Sequence, residues 1–345
     1  MAVTSPELEA YGWTTRWATL FAEITASSPD ARPGRIVRHD GSAVLAVSVD
    51  GALEHLQVPP RVDPAPVVGD WVAIDPATHS VIAALARHSL LRRQDPGTGS
   101  QQPLVANVDV VLVVCGLDRP VKPGRIERSV TLAWDAGATP VVVLTKADLV
   151  ADPEQRAEAV RRGGPGLDVV LTSAATGAGM DELRRMCRDR TVVLLGESGA
   201  GKSTMTNTLA GCAVATTGVV RGGDAKGRHT TTARHLYPLP SGGVLVDTPG
   251  LRAVGLSVDL DAVAATFGDV AAIAKGCRFG DCRHDREPGC AVLAAVATGE
   301  LATERWASWT TLRREAKVAE QRADGQQREH ERRVARPKRG RERDH

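Results

Sequence analysis

The stretch LLGESGAGKSTMTN, residues 194–207, decides the fold. Within it Gly196 to Ser203 satisfy G-x-x-x-x-G-K-S, directly after the apolar run TVVLL (191–195) and directly before the helix-like STMTNTLAG (203–211). That context gives the motif its meaning. Glycines let backbone N–H groups curl around phosphate oxygens, and the following helix presents its positive end to them. Gly196, Glu197, Ser198, Gly199, Ala200, Gly201, Lys202, Ser203 and Thr204 are therefore the expected phosphate cradle. Lys202 is expected to reach the β- and γ-phosphates, and the Ser203 hydroxyl to ligate magnesium.

Around this loop lie VDVVLVVCGL (108–117), TPVVVLTKAD (139–148), LDVVLTSAA (167–175) and GGVLVDTPG (242–250). Continuous β-branched runs alternating with helical segments indicate a parallel sheet buried on both faces. Asp247 and Gly250 of DTPG end the strand that follows the phosphate loop. In a P-loop fold an Asp there supports magnesium, and the glycine N–H senses the γ-phosphate. Between them, GRHTTTARH (227–235) should supply a threonine to the magnesium shell. Three consecutive threonines, 230 to 232, leave that assignment open; Thr231 is taken as the ligand.

Base choice separates a GTPase from an ATPase. The guanine edge offers N1–H and N2–H donors that adenine lacks, so a carboxylate aimed at that edge selects guanine. Asp148 in TKAD is that carboxylate if Lys146 lays its stem along the base and TSAA (172–175) closes the far side. Thr145, Ala147, Ser173 and Ala174 complete the expected base pocket. These elements precede the phosphate loop, whereas an ordinary GTPase has them after it. The order is a circular permutation, which is physically cheap because domain termini lie at the surface and near one another. Its consequence is that the segment after Gly250 leads straight into the C-terminal region.

The rest of the chain frames this core. At 345 residues there is room for two or three domains, and 42% hydrophobic with 24% charged residues are globular values. A net charge of +2 says little about partners. No apolar run reaches membrane-spanning length, and the N-terminus lacks a basic start followed by an apolar stretch, so a cytoplasmic protein is expected. Residues 6 to 24 have helical character. After them, short apolar runs with Asp-Gly at 40–41 and 50–51 fit a small β-barrel of the OB or SH3 kind, with hairpin turns at those dipeptides. RRQDPGTGSQQPLVA (92–106) reads as a linker. The region beyond 256 reads as helical, and the arginine-rich tail REHERRVARPKRGRERDH (328–345) as disordered without a partner.

Six cysteines in a chain of this length do not make a disulfide scaffold. Cys277, Cys282, His284 and Cys290 form C-x4-C-x-H-x5-C, and three thiolates with one imidazole match a closed tetrahedral zinc site that serves structure, with no vacant position for chemistry.

VGDWV, ANVDVVLVV, LTKADL, TSAATGAGMDEL, GESGAGKST, GRHTTT, DTPG and CRFGDCRHDREPGCAV, taken together, resemble the ribosome-small-subunit-dependent GTPase A family, RsgA or YjeQ, over residues 33 to 315. The resemblance implies a multidomain α/β protein. Its expected parts are a helical lead-in (1–32), an OB-fold barrel (33–100), a circularly permuted GTPase domain (101–255), a mostly helical zinc-binding domain (256–325) and a basic tail (326–345). It also implies GTP and GDP as substrate and product, magnesium, one structural zinc, and a role in late maturation of the small ribosomal subunit. Expected partners are that subunit and its rRNA, without a membrane, for a monomer. Thr145 replaces the asparagine of the usual NKxD motif, and the expectation is that an amide bracing the base against the phosphate loop is lost. After DTPG stands Leu251, where Ras-like enzymes carry the glutamine that orients water. His229 is the expected substitute for it, a neutral imidazole beside the switch threonines.

Overall fold

The N-terminal lead-in consists of helices α1 (Pro6–Ala10) and α2 (Thr15–Thr25). The Ser5 hydroxyl caps the first by accepting from the Leu8 N–H. Trp13 and Trp17 pack on Trp71 of the barrel, Trp13 edge-on at 4.8 Å, and Phe21 packs in turn on Trp13. Burying each such ring contributes about 2–3 kcal/mol. This computed structural model describes residues 5–41, 43–94, 101–214, 234–247 and 258–334.

The barrel strands are β1 (Arg32–Asp40), β2 (Ala43–Val47), β3 (Leu53–Gln57), β4 (Trp71–Asp75) and β5 (Ser80–Ala84). They pair in the order β1-β2-β3-β5-β4, and β4 returns to β1. The β3–β5 seam is held by one parallel pair, Gln57↔Ser80. A five-stranded, barely closed barrel of this kind is OB-like, which resolves the choice that pattern alone left open. Both Asp-Gly turns form where expected, with Gly41 and Gly51 at positive φ. Ile36, Val44, Leu56, Val72, Ile74 and Val81 fill the interior.

The stretch expected to be a linker is instead an antiparallel hairpin, β6 (Leu90–Gln94) with β7 (Gln101–Ala106). Arg92 donates to Gln101 Oε1 at 2.9 Å and Arg93 to Gln102 Oε1 at 2.7 Å, while Leu91, Leu104 and Val105 are buried at its base. The Gly and Pro that suggested a linker fall mainly in residues 95–100, outside the described residues. Gly69 meets this hairpin so closely that a Cβ there would lie 2.2 Å from the Ala106 carbonyl oxygen.

The central domain runs β8 (Val110–Gly116), α3 (Pro123–Asp135), β9 (Thr139–Thr145), α4 (Pro153–Gly163), β10 (Asp168–Leu171), α5 (Met180–Cys187), β11 (Thr191–Gly196), α6 (Lys202–Ala210), β12 (His235–Pro238) and β13 (Val244–Asp247). The sheet order is β10-β9-β8-β11-β13-β12, parallel except for β12 against β13. Side chains of β8 and β11 are buried almost throughout, as their unbroken apolar runs require. At the far edge β12 pairs with β1 of the barrel through Arg38↔His235, so barrel and core share one eleven-stranded sheet.

The C-terminal unit is helical, as expected: α7 (Leu260–Thr266), α8 (Gly268–Ala274), α9 (Ala291–Thr298) and α10 (Thr303–Val334). The start of the tail, expected to lack structure, is a correction. Helix α10 continues through residues 328–334, because that segment, REHERRV, is mostly Arg and Glu, which favour helix, and meets no proline before Pro337. Residues 335–345 lie outside the described residues.

Candidate functional site

Parallel pairing sets the site's geometry. With Val193 of β11 level with Val246 of β13, and Gly196 level with Val114 of β8, the phosphate loop leaves the sheet at the ends where the other functional segments also leave. Gly196 passes so close to β8 that a Cβ would lie 2.3 Å from the Val114 oxygen. The loop then turns through Gly199 and Gly201, both at positive φ, into α6 at Lys202. Lys202 Nζ donates to the carbonyls of Gly196 and Glu197, 2.7 Å each, so its ammonium lies folded over the loop. Ser203 and Thr204 occupy the first turn of α6, and Ala200 is buried beneath the loop.

The TKAD segment closes β9 two strands away and reaches the same loop. Lys146 adopts a left-handed conformation, φ 61°, and its Nζ donates to the Gly199 carbonyl at 2.7 Å. Thr145 Oγ1 donates to the Ala200 carbonyl at 2.6 Å. This bond corrects the expectation that the loss of asparagine leaves the strand end untied: the Thr145 hydroxyl ties it to the phosphate loop. Asp148, on the 3-10 turn Ala147–Leu149, accepts from Ser173 Oγ at 2.5 Å, and Ala147 N–H donates to the Thr172 carbonyl. Ser173 is buried and Ala174 exposed at the end of β10. Segments 145–148, 172–174 and 196–204 thus converge, which answers the question raised by their order. Asp247 ends β13 beside them. His229, Thr231 and Gly250 lie outside the described residues.

For magnesium, a hydroxyl on the first turn of the helix and an acidic strand end are the oxygen donors its chemistry asks for, and Ser203 and Asp247 supply them. The thiolate site can be tested by distance. Cys277, Cys282, His284 and Cys290 place their donor atoms within 4.8 Å of one another. Cys277 Sγ is 4.0 Å from Cys290 Sγ, and His284 Nδ1 lies 3.4 and 3.5 Å from those two sulfurs. A tetrahedral zinc with about 2.3 Å bonds to sulfur needs sulfurs about 3.8 Å apart, so the residues fit the ion. Trp309 packs against the imidazole at 5.3 Å between ring centres.

A family model described as RsgA GTPase matches residues 84–257. A "Small ribosomal subunit biogenesis GTPase RsgA" of Streptomyces coelicolor is 45% identical over 318 residues, covering 89% of this chain and 86% of that protein. The chain belongs to the RsgA GTPase family. Among solved structures, YjeQ from Thermotoga maritima aligns with TM-score 0.64 at 26% identity, covering 83% of this chain and 98% of that one. YloQ, described as a circularly permuted GTPase, shares the fold with TM-score 0.60 at 24% identity, covering 84% and 96%. The resemblance read from the motifs and the permuted architecture are both borne out.

Several residues of this RsgA-family chain escaped the sequence reading. Asp118, on the loop between β8 and α3, accepts from Lys146 Nζ at 2.7 Å, and that bond holds its carboxyl below the usual range. Arg125 of α3 pairs with Glu197 of the phosphate loop. Glu287 accepts backbone N–H bonds from Arg283, Asp285 and Arg286 at 2.9 to 3.1 Å, which tie the metal loop and hold its carboxyl down to about 2. Arg305 of α10 donates to Asp269, Glu127 and the carbonyls of Gly163 and Thr266, joining the C-terminal unit to α3 and α4. The only signal in the sequence was an acid or arginine near a motif, and each partner is remote or hidden in the backbone.

Proposed function

We propose that this chain is a GTP phosphohydrolase that acts in maturation of the small ribosomal subunit, with turnover stimulated by that subunit. The observation that carries the reading is the latch between base loop and phosphate loop: Thr145 and Lys146 donate to the carbonyls of Ala200 and Gly199, while Asp148 is held by Ser173. A purine bound between Lys146 and Ser173 presents its edge to Asp148, and its phosphates extend toward the N–H groups at the start of α6. Lys202 exchanges its carbonyl partners for β- and γ-phosphate oxygens. Ser203, Thr231 and Asp247 would hold or support magnesium, which would supply neutralisation of phosphate charge. Leu251 cannot orient water, so His229 is assigned that task, and intrinsic turnover is slow without the subunit.

The partners proposed are the subunit and its rRNA, in the cytoplasm, for a monomeric protein. Among the described residues, no helix is long and apolar enough to cross a membrane. The relatives' shared name, small ribosomal subunit biogenesis GTPase, supports the choice of partner. The zinc site, Cys277, Cys282, His284 and Cys290, serves to fold the loop before α9.

The test is GTP turnover with and without purified small subunits, with Lys202→Ala as the inactive control. Strong stimulation supports the proposal. Unchanged turnover together with nucleotide-dependent subunit binding would replace it with an RNA-binding module whose affinity nucleotide regulates. Full stimulated turnover by His229→Ala would remove that histidine from the mechanism.

A further inference from the structure

The register of the sheet places Gly116 of β8 beside Thr145 of β9, so the residues just beyond these strand ends sit level with each other. Leu117 N–H donates to the Thr145 carbonyl at 2.9 Å, and the next residue, Asp118, turns its carboxylate onto Lys146. Room for that turn comes from Gly116. A Cβ there would stand 2.5 Å from Asp118 Oδ1. Among the described residues Asp118 has one other side-chain partner, Arg119 Nη2 at 3.4 Å, and Arg119 Nη1 in turn donates to the Ser198 carbonyl at 3.4 Å.

Lys146 is thereby fixed at both sides of its ammonium, by Asp118 Oδ2 and the Gly199 carbonyl, each at 2.7 Å. A lysine stem has four rotatable bonds and loses considerable entropy when ordered, so a free lysine makes a poor surface for a flat ring. With both ends of the stem held, the methylenes form a fixed apolar wall. We infer that Asp118 is a positioning residue for the guanine nucleotide: through Lys146 it sets the wall against which the purine packs. It does not touch the base edge, which belongs to Asp148, 25 residues short of its own partner Ser173. This inference rests on the nucleotide reading of the site.

Because Asp118 and Lys146 are partly exposed, the pair adds little to folding stability, and its effect falls on nucleotide affinity. The test is calorimetric titration of the full chain with GDP, GTP and IDP, using Asp118→Asn, Asp118→Ala, Lys146→Ala and the Asp118→Ala/Lys146→Ala double variant. Asp118→Ala is expected to weaken GDP and GTP alike by about fivefold. The melting temperature of the nucleotide-free chain stays unchanged, as does the ratio of GDP to IDP affinity, since IDP lacks only the amino group that Asp148 reads. In the Lys146→Ala background the Asp118 substitution has no further effect. Unaltered affinity in Asp118→Ala, a full loss that persists without Lys146, or a changed GDP-to-IDP ratio each overturns the inference. A wild-type chain that fails to hold GDP overturns the nucleotide reading and this inference with it; wild-type binding with an unaffected variant overturns this inference alone.

Discussion

Replacing Arg305 with methionine removes a guanidinium that ties the C-terminal unit to both α3 and α4. Its side chain is 7% exposed, that of Glu127 6% and that of Asp269 28%. Arg305 gives two bonds of 2.6 Å to Asp269, one of 3.0 Å to Glu127 Oε1, and bonds of 2.7 and 3.1 Å to the Gly163 and Thr266 carbonyls, and it lies over Phe267 at 4.7 Å. Methionine keeps much of the contact with Phe267 but leaves a buried carboxylate unpaired. Breaking a buried pair from one side costs about 3–5 kcal/mol, and the partial exposure of Asp269 places this case near 3. Hydrogen exchange of the α7, α8 and α10 amides reads the change locally, and 3 kcal/mol corresponds to roughly hundredfold faster exchange after correction for intrinsic rates. The effect has a defined pH dependence. Burial already holds the Glu127 carboxyl above its ordinary range, and the loss of the guanidinium raises it further. A carboxyl whose folded value exceeds its unfolded value costs nothing below the unfolded value, then costs increasingly as pH rises toward the folded value. The penalty is therefore larger at pH 8 than at pH 5, and adding Glu127→Gln recovers roughly half of it. Exchange within about threefold of wild type, or an equal penalty at both pH values, would refute the reasoning.

Thr145→Val removes the hydroxyl that donates to Ala200 while keeping shape, and should weaken GDP binding by about fivefold in calorimetry, with Thr145→Asn near wild type. Glu287→Ala leaves three N–H groups of the metal loop without their acceptor, so a chromogenic chelator should strip zinc from it faster than from wild type. Deleting residues 328–345 should lower affinity for the small subunit at low salt and matter less as salt rises, as a phosphate contact by the arginine-rich end requires; equal affinity at low salt would remove that role.

The parts legible in the sequence share one property: their chemistry is local. The phosphate loop, TKAD and the four zinc ligands each lie within one short stretch, and unbroken apolar runs mark the buried strands beside the first two. What escaped depends on remote partners. The β6–β7 hairpin is held by arginine–glutamine pairs across strands whose polar faces read as a linker. The junction of β12 with β1 joins residues 38 and 235, a pairing set by two domains packing together. The Thr145 brace was misjudged because residue type alone did not show that the Ala200 carbonyl lies within reach of a hydroxyl. Helix α10 runs past 328 because charged residues that lack an apolar face still propagate a helix already anchored at Trp309 and Leu312.

Competitive titration of guanosine against adenosine diphosphate on the wild-type chain and on Asp148→Asn examines the common pocket most directly. Wild type should favour GDP over ADP by at least about a hundredfold, because adenine offers the carboxylate no matching donors, and Asp148→Asn should lose most of that preference. Equal binding of the two nucleotides by wild type, or undiminished preference in the variant, would contradict the account.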